Sequence, residues 1–135
     1  MTHIPANLRR LVQDRSGGRC KYCHLAQAGQ EATFHIDHIK PVAAGGLTVP
    51  DNLALACVSC SLRKAAQESA VDPVTGETVS LFNPRTDKWS SHFEWEHVYL
   101  TGTTAKGLAT IKPLDLNRQL ILAIRLEESL LGLHP

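Results

Sequence analysis

Residues 20–23 read Cys20-Lys-Tyr-Cys23, and residues 57–60 read Cys57-Val-Ser-Cys60. Two such Cys-x2-Cys pairs, here 33 residues apart, can close one tetrahedral four-thiolate site around zinc. A closed site of this kind is structural, because no position remains for water. Two local disulfides and one redox-active pair are the alternative interpretations of the four cysteines.

The chain between the cysteine pairs predicts a strand, a loop and a second strand, followed by a helix. Apolar and polar residues alternate from residue 33, and this pattern predicts a half-buried strand that ends or bulges near His38. The same alternation over residues 53–57 predicts the second strand. We expect Ser59 or Ser61 to cap the helix, because serine side chains accept hydrogen bonds from the free N–H groups of a first turn.

The first of these strands carries a dense cluster of titratable side chains. His35, Asp37 and His38 fall within four positions, and Lys40 follows. A carboxylate can hold a divalent metal against a phosphate oxygen, and an imidazole can take a proton from water near neutral pH. These are the parts needed to hydrolyse a phosphodiester. A second, histidine-rich zinc site and ordinary surface histidines are the alternatives.

The complete pattern closely resembles the zinc-knuckle branch of the HNH endonuclease family. It runs from Cys-x2-Cys through His-Ile-Asp-His-Ile-Lys-Pro, Gly-Gly and Asp-Asn-Leu to the second Cys-x2-Cys and Arg-Lys. The match covers about a third of the chain, from Cys20 to Lys64. The resemblance implies an α+β fold whose ββα-metal (His-Me finger) core is clamped by a four-cysteine zinc site. Such a core grips the nucleic-acid backbone and cleaves it with one divalent ion.

The resemblance also implies a role for each residue of the site. Asp37 binds the catalytic metal and His38 is the general base. Asn52 fixes the loop between the strands by hydrogen bonding to the backbone, and His35 lies near the metal or occasionally binds it. The structural Zn²⁺ is held by Cys20, Cys23, Cys57 and Cys60.

One position departs from the family pattern. The family usually has histidine or asparagine directly after the last cysteine, as the second protein ligand of the catalytic metal, and this chain has Ser61. A serine hydroxyl is a weak oxygen ligand for Mg²⁺. We therefore expect Asp37, Ser61 and His35 to hold Mg²⁺, Mn²⁺ or Ni²⁺ loosely.

The remainder of the chain is interpreted as part of one domain, 1–135. The nuclease core covers about 18–68, and residues 72–135 are similar to the C-terminal extension of some bacterial HNH proteins. The last helix packs on the core of a monomer or, alternatively, forms a homodimer. The elements predicted outside the core are a helix over 5–15, strands over 93–100 and 108–111, and a helix over 114–131.

Composition and charge constrain the partners of the protein. The 135 residues are 43% hydrophobic, with no apolar run long enough for a membrane span and no signal-peptide pattern, so we expect a cytoplasmic protein. The net charge is +1, but residues 1–66 carry eight Lys and Arg against four Asp and Glu, a balance of +4. A local positive excess attracts a polyanion. The candidate phosphate contacts are Arg19, Lys40, Arg63 and Lys64.

Together these features predict a metal-dependent endonuclease that acts on DNA. Asp37 presents the metal to the scissile phosphate, and His38 deprotonates the attacking water. A zinc-knuckle module that binds nucleic acid without cutting it is the principal alternative. The third interpretation is a protein-interaction or regulatory domain that uses the C-terminal helix.

Overall fold

The computed structural model describes residues 3–135 as a mixed α/β fold with small antiparallel sheets. The described residues form three two-stranded sheets, which pair β1 with β2, β3 with β4 and β5 with β6. The helices are α1 (Ala6–Arg15), α2 (Val58–Lys64), α3 (Ala105–Leu114) and α4 (Gln119–Leu130). The strands are β1 (His35–His38), β2 (Leu53–Ala56), β3 (Ser69–Val71), β4 (Thr78–Ser80), β5 (Phe93–Glu96) and β6 (Tyr99–Gly102).

Helix α1 confirms the helix that was predicted at the N-terminal end. Pro5 is its N-cap residue, and the helix buries Val12. At its last turn, the Arg15 guanidinium donates hydrogen bonds to the carbonyl oxygens of Pro50 and Leu53, each over 2.6 Å. One arginine thereby ties α1 to the chain that enters β2.

Strands β1 and β2 pair antiparallel, and α2 follows two residues after β2. The register places Asp37 opposite Ala54 and His38 opposite Leu53. As predicted, the first strand ends at His38. All four residues of β2 are buried, so this strand lies in the interior of the fold.

Helix α2 does not begin as the sequence suggested. It starts at Val58, so Ser59 and Ser61 lie inside the helix and cap nothing. The capping atom is the Cys57 sulfur, which accepts a hydrogen bond from the Cys60 N–H over 3.4 Å. The second Cys-x2-Cys pair therefore also forms the start of the helix.

A loop over residues 39–52 connects β1 to β2. Within this loop the backbone at Gly46 packs closely against the backbone of Lys40 and Pro41. The Gly46 N–H donates to the Pro41 carbonyl over 2.9 Å. A Cβ atom at Gly46 would overlap the carbonyl oxygen of Lys40. Only glycine fits this position without a shift of the backbone.

The C-terminal region corrects three expectations. The single strand predicted over 93–100 is divided into β5 and β6, which pair antiparallel. The strand predicted over 108–111 is wrong, because these residues lie in α3, whose first turn is capped by the Thr104 hydroxyl on the Gly107 N–H at 3.1 Å. The single helix predicted over 114–131 is divided. Asp115 ends α3 in the left-handed conformation, with φ 48°, and α4 begins only at Gln119.

One hydrophobic cluster joins the N-terminal and C-terminal halves of the chain. The cysteines, Tyr22, Leu53 and Leu55 belong to the same buried cluster as Phe93, Leu100 and Ile121. Trp89 and Trp95 pack against it. Within residues 3–135, no helix has the length and apolar character needed to cross a membrane.

Candidate functional site

The four cysteine side chains converge on one point in the interior. Their sulfur atoms all lie within 4.8 Å of one another, and all four residues are buried. The Cys23 and Cys57 sulfurs are 3.7 Å apart, whereas a disulfide requires about 2.05 Å. Four sulfurs at about 2.3 Å from a tetrahedral zinc lie about 3.8 Å from one another. The cluster therefore fits one zinc ion and joins the two sequence pairs rather than closing each pair locally.

Backbone groups and electrostatics support a cation at this cluster. The Cys23 N–H donates to the Cys20 sulfur over 3.5 Å, which matches the Cys60 contact to Cys57. Burial raises the pKa of the Cys20 thiol, whereas hydrogen bonds from the three surrounding thiols lower the pKa of Cys57. Four buried thiolates without a cation would repel one another strongly. A zinc ion removes that repulsion.

Asp37 lies on β1 and is held by two side chains. The Tyr22 hydroxyl donates to its Oδ2 over 2.8 Å, and the Lys64 ammonium lies 3.2 Å from the same oxygen. The carboxylate is only 8% exposed. Burial raises the pKa of Asp37, although the Lys64 charge and the Tyr22 hydrogen bond act in the opposite direction. The carboxylate is therefore positioned firmly and shares its charge with a lysine.

The position of Lys64 corrects its predicted role. Its side chain is 2% exposed, and its ammonium group also donates to the carbonyl oxygens of His38 and Ile39, each over 3.2 Å. A side chain engaged in this way is not presented to a DNA phosphate. Lys64 instead connects the last turn of α2 to the end of β1.

His38 and Asn52 each make side-chain hydrogen bonds near the end of β1. The His38 Nε2 is 2.9 Å from the Thr48 hydroxyl oxygen. Asn52 accepts a hydrogen bond from the Lys40 N–H over 2.8 Å, and its amide group donates to the carbonyls of Lys40 and Leu47. The asparagine thereby fixes the backbone two residues beyond His38.

His35 reaches across from β1 to α2. Its Nδ1 lies 2.9 Å from the Ser61 hydroxyl oxygen. His35 and Asp37 are two residues apart on one strand, and side chains at this spacing share a face. The strand therefore presents an imidazole and a carboxylate on the same side, with the hydroxyl of α2 at the imidazole.

The other predicted phosphate contacts differ in their environments. Lys40 is exposed beside the loop. Arg63 is exposed and pairs with Asp115 over 3.7 Å. Arg19 donates to the carbonyl oxygens of His24 and Leu133, each over 2.8 Å. Lys40 is the basic side chain closest in sequence to the Asp37 and His38 cluster.

A comparison with protein families identifies the segment that contains these residues. Residues 20–67 match the family model described as HNH endonuclease. The resemblance seen in the sequence is thus confirmed for this segment. No curated protein matches the chain. The matched segment contains both cysteine pairs, β1, β2 and α2.

Several residues of the site were missed in the sequence. Tyr22 lies inside the first cysteine pair and Thr48 in a loop, so neither has a pattern that indicates a partner. Arg118 and Arg125 approach the cysteine cluster from the C-terminal region. A contact between residues more than 60 positions apart in the sequence leaves no signal in the local pattern of apolar residues.

The cysteine cluster generates a prediction about folding. Cys23→Ser should abolish zinc binding and the cooperative unfolding transition, because the free energy of structural zinc binding is folding free energy. Zinc content and thermal unfolding followed by circular dichroism measure both effects. Ser59→Ala, within the second Cys-x2-Cys pair, should retain both zinc binding and the cooperative unfolding transition. A Cys23→Ser protein that unfolds like the wild type would contradict the assignment.

Proposed function

We propose that the protein is a metal-dependent endonuclease that hydrolyses DNA phosphodiester bonds, with β1, β2 and α2 as its ββα-metal core. The observation that supports this proposal best is the fixed end of β1. Lys64 binds the carbonyls of His38 and Ile39, and Asn52 binds both backbone groups of Lys40. The backbone from His38 to Lys40 is therefore held by two side chains. General-base catalysis requires a side chain positioned in this way.

In this proposal His38 is the general base. The Thr48 hydroxyl contacts one ring nitrogen and can serve it as donor or acceptor, so it orients the ring with either nitrogen protonated. The other nitrogen then remains available for a water molecule. Neutral imidazole accepts a proton near pH 7, which suits the activation of water. Asn52 contributes by holding the loop and does not need to touch the DNA.

Asp37, His35 and Ser61 are the proposed protein ligands of the catalytic metal. One carboxylate, one imidazole and one hydroxyl form a donor set that fits Mg²⁺, Mn²⁺ or Ni²⁺. A divalent ion bound there would polarise a phosphate oxygen and offset the charge that develops during hydrolysis. Lys64 already neutralises part of the Asp37 charge. We therefore infer weak metal binding in the absence of DNA.

His35 explains how the chain tolerates serine at position 61. The family resemblance calls for histidine or asparagine at this position of α2. In this protein an imidazole reaches the same turn from the neighbouring strand, because the His35 Nδ1 lies 2.9 Å from the Ser61 oxygen. We infer that the nitrogen ligand has moved from the helix to the strand.

The non-cleaving nucleic-acid-binding module remains a second candidate for a specific reason. The Asp37 carboxylate is paired with Lys64. The lysine ammonium, 3.2 Å from the carboxylate, can take the place of a bound metal ion. A protein of this kind would keep the zinc-clamped fold and bind DNA without cutting it.

Cleavage of supercoiled plasmid by His38→Ala tests the proposed base. The wild-type protein should convert the plasmid to nicked or linear forms in Mg²⁺, Mn²⁺ or Ni²⁺, and it should leave the plasmid intact without an added divalent ion. His38→Ala should cleave at least about a hundredfold more slowly, because general-base catalysis contributes about that much. Zinc content and DNA binding should be retained. Added imidazole should restore part of the rate.

Three outcomes of this assay have different meanings. A fully active His38→Ala protein would overturn the role of His38. Wild-type protein that retards DNA in a gel but cuts it with none of the metals would favour the binding module. Zinc-loaded protein that neither binds nor cuts DNA would overturn both functions.

A ligand exchange between positions 35 and 61 tests the metal site. His35→Ala should raise the Mn²⁺ concentration needed for half-maximal cleavage, since it removes the only nitrogen donor among the three proposed ligands. The double variant His35→Ala/Ser61→His should restore the wild-type requirement, because it returns an imidazole to the same point from α2. His3→Ala, at an exposed histidine outside the core, is the matched control. Identical Mn²⁺ curves for all four proteins would contradict the assignment.

A further inference from the structure

The C-terminal region directs two guanidinium groups at the cysteine cluster. Arg118, directly before α4, places its Nη2 at 3.7 Å from the Cys57 sulfur. Arg125, within α4, donates from its Nη2 to the Cys23 carbonyl oxygen over 3.3 Å. Each arginine therefore approaches a different Cys-x2-Cys pair. Both positions lie outside the segment that matches the HNH endonuclease model.

Arg125 is a buried cation that has no carboxylate partner. Arg125 is 2% exposed. Its guanidinium group also contacts the Val98 carbonyl, the Asn117 side-chain oxygen and the face of the Trp95 ring, whose centroid is 4.8 Å away. None of the ion pairs within residues 3–135 includes Arg125. A buried charge without a counter-charge is strongly unfavourable. The negative charge must therefore come from another group close by.

The cysteine cluster can supply this charge when it holds zinc. Four thiolates and one Zn²⁺ carry a net charge of −2, and two guanidinium groups carry +2. The guanidinium group remains charged under all ordinary conditions. The two charges therefore match in magnitude as well as in position.

We propose that the zinc–thiolate centre is the counter-anion of Arg118 and Arg125. Zinc binding thereby holds α4 against the two Cys-x2-Cys pairs. The proposal rests on zinc at the cysteine site and not on DNA cleavage. Zinc then has two structural effects in this protein. It joins the segment before β1 to the junction of β2 and α2, and it holds the C-terminal helix against the β1–β2–α2 unit. Loss of zinc would leave Arg125 buried without a counter-charge.

The rate of zinc release from the zinc-loaded, 135-residue chain tests the proposal. Arg118 is the better position for substitution, because it is only partly buried and its loss leaves no cavity in the core. Arg118→Gln should release zinc to a chromogenic chelator about tenfold faster than the wild type, which is the usual scale for partners that tune metal ligands. Arg118→Lys, which keeps the charge, should recover most of the difference. Lys112→Gln, at an exposed lysine of α3, is the matched control for the loss of one positive charge.

Hydrogen exchange of the α4 backbone amides provides an independent readout. Arg118→Gln with zinc bound should exchange faster in α4 than the wild type, while α1 exchanges at the wild-type rate. Equal zinc-release rates for Arg118→Gln and the wild type would overturn the proposal. So would α4 exchange that is unchanged in Arg118→Gln, or a folded wild-type protein that contains no zinc. Since no readout involves DNA, a failure here is distinct from a failure of the proposed nuclease function.

Discussion

Convergence of four buried sulfur atoms is the constraint on which the rest of the structure depends. The cysteines come from the segment before β1 and from the junction of β2 and α2, yet their sulfurs lie within 4.8 Å of one another. The same residues cap α2 through Cys57 and belong to the buried hydrophobic cluster. A short hairpin is marginally stable alone in water. Zinc at this point would fix the hairpin, the helix and their relative orientation together.

The fixed helix then determines the geometry at the end of β1. Lys64, in the last turn of α2, reaches back to Asp37 and to the carbonyls after it. Ser61, one turn earlier, meets His35. A displacement of α2 would therefore disturb the carboxylate and the imidazole together. The cysteine site has no open position for chemistry, but it controls the residues that are proposed to perform it.

Much of this arrangement was visible in the sequence, for identifiable physical reasons. The cysteine spacing, the end of β1 at His38 and the N-terminal helix follow from local patterns, and all three agree with the structure. One error arose where a distant residue decides the outcome. Lys64 was expected on the surface because lysine usually lies there, but the buried Asp37 carboxylate draws it inside. Another error arose over residues 108–111, because a mostly apolar run of four residues is too short to distinguish a strand from a buried helix segment.

Native mass spectrometry of the freshly purified protein tests the zinc clamp most directly. The account predicts a neutral mass equal to that of the reduced chain plus one zinc and minus two hydrogens, because a bound Zn²⁺ replaces two protons in the overall charge balance. Removal of the zinc at constant pH should abolish the cooperative unfolding transition. A folded chain that contains no zinc and is lighter by four hydrogens would show two disulfides. A fully reduced, metal-free chain with the same folded stability would also contradict the account.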